Sequence, residues 1–182
     1  SYVEGDHSRR INIFTQNFGL LSARVQGARE TRSKLRSGSQ DFCVGEFSLV
    51  HGKAGWKVVS VNAEKNLFET FHSSPEKLKV ITNVLNLVKK LVGEESNQSA
   101  LFEIIANFLD FLVEAKDSEI SLAECLVLLK ILHSLGYMRQ DPEFGLPINT
   151  LEIEVSNLEL LAPKRLKMIA LINESLKATH LT

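Results

Sequence analysis

The alternation of apolar and polar positions along the chain changes period once, near residue 72. The change predicts two kinds of structure in series. Before it, short β-prone runs at 10–15, 20–26, 42–50 and 56–62 are separated by turn-forming residues. Asn17-Phe18-Gly19 turns the first pair, and Gly52-Lys53-Ala54-Gly55 closes the last pair into a hairpin. The order Glu46, Phe47, Ser48, Leu49 alternates polar and apolar, as a half-buried strand requires. Seven of the ten glycines precede residue 56 and all four prolines follow residue 74. Four or five short strands with glycine bends within about 70 residues predict a small, partly open barrel of the OB type.

From Ser73 the period lengthens to that of helices. Ser73 or Ser74 caps the first, Ser73 with Glu76 fits a capping box, and Pro75 is tolerated in a first turn. Leu78, Ile81, Leu85, Val88 and Val92 form its apolar stripe, which Gly93 ends. A second stripe is Leu101, Ile104, Ile105, Phe108, Leu109 and Leu112; a third is Leu122, Leu126, Leu129 and Leu132, stopping at Gly136. Residues 141–162 read as an irregular connector with a short strand at 151–155. A last helix is expected to begin near Pro163 and to carry Leu166, Ile169, Ala170 and Leu176. The predicted fold class is therefore α+β, with an OB-type barrel over residues 1–72 and an α-helical bundle over residues 73–182.

Composition narrows the function classes. With 182 residues, 44% hydrophobic and 24% charged, the chain can build a packed core. Its longest apolar runs are five residues, against the roughly 20 that a membrane-spanning helix needs, so no membrane role is expected. The polar N-terminus shows no secretory signal, and Cys43 and Cys125 form neither a disulfide framework nor a zinc spacing. A reducing, cytoplasmic setting is expected. His7, His51, His72, His133 and His180 are scattered, and no phosphate-loop or dinucleotide-binding signature occurs, so no enzyme activity and no cofactor are expected. Glu94-Glu95, Glu103, Asp110 and Glu114 read as solvated helix faces, and the two cysteines as small buried hydrophobes.

Charge is unevenly spread. Residues 1–60 carry nine Lys/Arg against five Asp/Glu, and residues 61–182 carry twelve against seventeen. Such asymmetry points to a part facing a polyanion and a part facing protein. The densest positive stretch, residues 24–36, holds Arg24, Arg29, Arg32, Lys34 and Arg36 with one acid, Glu30, and no helical apolar stripe. It reads either as a loop that offers cations and the donors Ser33, Ser37 and Ser39 to phosphates, or as a solvated loop. Eight of the thirteen aromatic residues fall in the first 71 positions, and most are expected to fill the barrel. Phe18 at a turn and Trp56 beside Lys53 and Lys57 are the least easily buried and are candidates for stacking on bases. A rival reading has the basic loop meeting an acidic protein without nucleic acid. Lys89-Lys90 in that reading receives a partner's carboxylates, or simply opposes its helix dipole.

The stretch from 14 to 68 resembles the recombination mediator RecO family. The matches are Phe14-Thr15, then Phe18-Gly19-Leu20, Ala23 to Gly27-Ala28-Arg29, Ser33-Lys34, Phe47 and Leu67-Phe68, in that order. Glu4 and Asp6 are similar to the acidic pair before the family's second strand. Leu132, Leu135, Gly136 and Tyr137 are similar to its Leu-Gly-Tyr helix end, as is the closing helix. The resemblance implies an OB barrel followed by a helical domain that binds single- and double-stranded DNA and anneals strands. It also implies partners: RecR, the C-terminal tail of the single-strand-binding protein SSB, and RecA indirectly, in DNA repair at the nucleoid. Two departures stand out. The family's strand before Glu4 has no room here, so the barrel either lacks its first strand or is cut short of it. The family's four-cysteine zinc module is absent, since residues 138–163 contain neither cysteine nor histidine, and no metal is expected.

Overall fold

The structure is a computed structural model that describes residues 2–4, 8–26, 35–94, 96–138 and 141–179. Five strands form one sheet: β1 (Tyr2–Glu4), β2 (Ser8–Thr15), β3 (Gly19–Gln26), β4 (Cys43–Gly52) and β5 (Gly55–Asn66). Their order is β1-β2-β3-β5-β4, so a three-residue β1 occupies the first place in the sheet. All neighbours are antiparallel except β3 and β5, which run parallel with Ala23 against Trp56 and Arg24 against Lys57. Opposite Val44/Gly45 and Ser48/Leu49 the register shifts by one, which leaves Glu64 and Val59 of β5 as extra residues and bends that strand, as a strongly curved sheet requires. Ile11, Ile13, Ala23, Val25 and Val58 fill the interior, with Leu35 of the short helix α1 (Leu35–Gly38) packed against them. The four β-prone runs thus appear as β2 to β5, because alternation with one buried side is what the barrel interior demands.

Asn66 ends β5 and accepts hydrogen bonds from the backbone N–H groups of Phe68 and Glu69. It thereby caps α2 (Leu67–Phe71), a turn of helix that buries Leu67 and Phe71. Three long helices follow: α3 (Pro75–Leu91), α4 (Ser99–Glu114) and α5 (Asp117–Ser134). Pro75 takes the first turn of α3 as expected, but the cap position is Ser74, and no side-chain hydrogen bond of the expected Ser73–Glu76 box forms there. α5 is buried over most of its surface, with Ala123, Leu126, Val127, Leu129, Ile131 and Leu132 all shielded and Ser121, Glu124 and Leu128 half-buried along one stripe, because α3, α4 and the C-terminal helices pack around it.

The connector is more helical than its sequence indicates. No strand forms at 151–155; α6 (Gly145–Asn149) and α7 (Val155–Leu161) turn their apolar residues Ile148, Leu158 and Leu161 into the core instead. A 3-10 turn (Ala162–Lys164) leads into α8 (Arg165–Ala178). The buried face of α8 is Met168, Ile172 and Ser175; Ile169 and Leu176 are half-buried beside it, whereas Leu166 is 82% exposed, contrary to its expected place in the stripe. Ion pairs tie the connector down, with Lys167 bridging Asp141 at 3.2 Å and Glu143 at 3.0 Å. Beneath it Lys130, only 1% exposed, donates to the carbonyl oxygen of Thr150 and, at 3.3 Å, to its hydroxyl.

Burial pushes the Lys130 amine down to about 8, below its ordinary value of 10.5. Between those values the unfolded chain carries a proton that the folded chain lacks, so this group makes stability rise with pH. Burial pushes the Cys125 thiol up, which acts in the opposite direction because the unfolded thiol ionises first. Comparing the protein with its Lys130→Met variant isolates the amine. Unfolding by urea should show the parent gaining about 2 kcal/mol on the variant between pH 7 and pH 10. A difference that stays constant with pH would mean that burial does not lower the Lys130 amine below its ordinary value.

Candidate nucleic-acid interface

Residues that alternate along β2, β3 and β5 divide the sheet into two sides. Ile11, Ile13, Leu21, Ala23, Val25 and Val58 point inward and are buried. The opposite side therefore receives Arg10, Asn12, Ser22, Arg24 and Lys57. Register then lines up three cations from three adjacent strands: Arg10 opposes Arg24, and Arg24 pairs with Lys57. At a strand spacing of about 4.8 Å the row spans roughly 10 Å. Arg24 also donates from Nη2 to the hydroxyl of Ser8 at 3.1 Å, and both arginines make further interactions. Arg9, one residue away and on the inward side, is instead paired with Asp41 at 3.0 Å.

Along the same outer side, the end nearest the β2–β3 turn is covered. Phe14 and Leu20 oppose one another there and pack against the helical core, the Phe14 ring lying 5.9 Å from that of Phe102 on α4. Gln16 donates to Glu103 at 2.9 Å, and Lys65 pairs with Asp110 at 3.0 Å. Glu103 and Asp110 are thus more than solvated acids, since both hold the sheet against α4. Beyond Lys57 a groove of about 520 Å³ is lined by Gln26, Leu35, Val50, Lys57, Val58 and Val59. Gln26 and Leu35 are the points where the basic segment 27–34 leaves and rejoins the described chain. Arg29, Arg32 and Lys34 lie outside the described residues, as does the side chain of Arg36.

Trp56, Phe18 and Lys53 lie elsewhere. Trp56 pairs with inward-facing Ala23 and with His51, so it sits at the end of the barrel interior, on the other side of the sheet from Lys57. Its ring meets those of Phe18 at 5.7 Å and His51 at 4.8 Å. The expected grouping of Trp56 with Lys57 therefore splits, because neighbours along a strand face opposite ways. Lys53 is exposed in the hairpin turn beside the rings. Lys89 and Lys90 are exposed in the last turn of α3, remote in sequence from both surfaces. Arg10 was the residue that sequence reasoning passed over. Its signal is the spacing of two between Arg10, Asn12 and Phe14 around Ile11 and Ile13, but its alignment with Arg24 depends on register, which one strand alone does not reveal.

The β2–β3 turn joins these surfaces to the helices. The Thr15 hydroxyl donates to the carbonyl of Gly19 at 3.0 Å and accepts from the backbone N–H of Phe18 at 3.1 Å. Gly19 has φ +64°, and a Cβ there would overlap the carbonyl oxygen of Ser96. Leu20 forms a bridge with Glu94 in the α3–α4 link. Among the described residues no group of three or more His, Cys, Asp or Glu is arranged to hold a metal, and no helix is long and apolar enough to cross a membrane.

Residues 2–63 match the family model for the N-terminal part of recombination protein O, and residues 72–140 match that for its C-terminal part. Relatives named DNA repair protein RecO are similar in sequence. One from Acetivibrio thermocellus is 28% identical over 133 residues, 73% of this chain and 52% of its own. One from Clostridium novyi is 31% identical over 140 residues, 75% of this chain and 52% of its own. One from Synechocystis is 30% identical over 111 residues, 58% of this chain and 38% of its own. The chain spans about half the length of the curated relatives it first matches.

Gly55 supplies a control for the packing at Gly19, since its φ is +88° but nothing stands where its Cβ would go. Gly55→Ala should cost about 1–2 kcal/mol, the strain of a left-handed residue alone. Gly19→Ala should cost more, by the parting of the turn from Ser96. Equal losses in the urea midpoint would show that the turn is not held by that contact.

Proposed function

Since this chain belongs to the recombination protein O family, we propose that it is a DNA-binding protein of recombinational repair that grips phosphates on the outer side of its barrel. The observation that carries the reading is the row of Arg10, Arg24 and Lys57, set beside the points where the basic segment 27–34 is attached. Strands 2 and 3 present the face that OB barrels use for oligonucleotides. Arginine and lysine on a sheet surface meet the backbone of either one strand or two, and among the described residues no long helix belongs to the barrel part that could read a groove. Binding is therefore chiefly electrostatic and little dependent on base sequence.

The two parts, residues 1–72 and 73–182, then divide the work. The barrel holds single- or double-stranded DNA, and dense cations lower the repulsion between two strands brought together, which favours annealing. The helical part meets proteins, with RecR and the C-terminal tail of SSB as partners in loading RecA, and exposed Lys89 and Lys90 as candidates for the tail's carboxylates. No bond is made or broken in this role, which calls for no catalytic group and no cofactor. The setting is the cytoplasm, at the nucleoid.

A salt titration tests the reading. For single strands, log K should fall with log salt by about 0.7 for each phosphate neutralised. Replacing Arg10, Arg24 and Lys57 together with alanine should lower affinity and flatten that slope by up to about 2. Replacing Arg29, Arg32 and Lys34 should act in the same direction. Parental affinity and slope in both triple variants would dismiss this surface, and failure of the protein to retard DNA at low salt would favour the acidic-protein alternative.

A further inference from the structure

Phe18, Trp56 and His51 come from three separate elements, the β2–β3 turn, β5 and β4, and meet at one end of the barrel. We infer that this aromatic trio is a second surface, which stacks the unpaired bases of a single strand apart from the cations that hold phosphates. The inference rests on the DNA-binding reading above and adds to it a basis for telling one strand from two.

Geometry separates the surfaces. Trp56 pairs with inward-facing Ala23, and Lys57 with outward-facing Arg24, so rings and cations occupy different sides of one sheet. The trio is also held ready. Phe18 is 52% exposed, yet its backbone is fixed by the Thr15 hydroxyl and by the close approach of Gly19 to Ser96, while its ring leans on Trp56. A single exposed phenylalanine is ordinary on a protein surface. An exposed ring fixed from both sides loses little freedom on meeting a ligand, which favours binding. His51 is exposed and its ring meets Trp56 edge-on, and Lys53 in the adjoining turn offers one positive charge at this end of the barrel. Bases present their flat faces to such rings only when unpaired, because in a duplex each face is already stacked on the next pair.

Trp56 is the only tryptophan, so its fluorescence reports on this end of the barrel alone. Three probes of equal length serve: oligothymidylate, a blunt duplex and an abasic strand that keeps its phosphates. Oligothymidylate should quench Trp56, and neither other probe should, although all three bind at low salt. Phe18→Leu keeps apolar bulk against Trp56 and removes the aromatic face. It should weaken oligothymidylate relative to duplex about tenfold, with the salt slope unchanged, and Phe18→Tyr should restore the ratio. Equal quenching by the abasic strand, or parental binding by Phe18→Leu, overturns the inference. Binding without any quenching overturns it and leaves the proposed function standing. If no probe binds, that function fails first and the inference falls with it.

Discussion

The parallel ladder between β3 and β5, with Ala23 against Trp56 and Arg24 against Lys57, decides what each side of the barrel presents. Its register is not free to drift. Leu21, Ala23, Val25 and Val58 must face inward to fill the interior, and a slip of one residue would send a cation into it, Arg24 if β3 moved or Lys57 if β5 did. Burying unpaired cations costs several kcal/mol each, far more than any surface contact returns. The antiparallel ladder to β2 is fixed in the same way by Ile11 and Ile13, and that places Arg10 opposite Arg24. The charged row is therefore held by the apolar core behind it. Its spacing is as rigid as the sheet, although the side chains themselves are long.

The outer side of that sheet is shared between two uses. Near the β2–β3 turn it is apolar and closed off by α4 through Phe14, Leu20 and Phe102; further along it is cationic and faces away from that contact. The dividing line falls at Asn12 and Ser22, small polar residues between the two zones. The turn itself has a part on each side. Gln16 and Gly19 dock on the helical part, while Phe18 reaches the aromatic trio at the barrel's end. A displacement of the α3–α4 link would thus be felt at Phe18 before it reached any cation, since Ser96 and Glu94 lie against the residues that follow it.

Much of this was legible in the sequence, for identifiable reasons. The barrel strands and the three long helices announce themselves because one buried side imposes a period of two or of 3.6 on many residues at once. The family could be named from the order of short motifs between Phe14 and Tyr137. What failed was local and depended on partners distant in sequence. Residues 151–155 carry a strand-like alternation, but they pair with no strand among the described residues, and Lys130 holds Thr150 from below instead. Leu166 fits the stripe of its helix, yet it lies in the first turn of α8, on a side that no other element covers. Trp56 and Lys57 were grouped because they adjoin in the chain; the alternation that separates them was visible, but not which side of β5 lay against β3. Arg10 was missed for the same reason, since a cross-strand row exists only once three strands are in register.

Separating the cations from the rings has a consequence for how such a barrel handles two strands. A strand held by its phosphates keeps its base edges free, so a complementary strand can pair with it while it stays bound. A strand stacked on Phe18, Trp56 and His51 must give up those stacks to pair, at about 1–3 kcal/mol for each base released. Salt acts on the two modes differently, weakening the first steeply and the second little. On the proposed reading, pairing would move DNA from the aromatic end toward the cationic side, because a duplex offers phosphates to the cations and no open base face to the rings. The product would then differ from the substrate in where it sits, and release of a finished duplex would depend on the proposed cations alone.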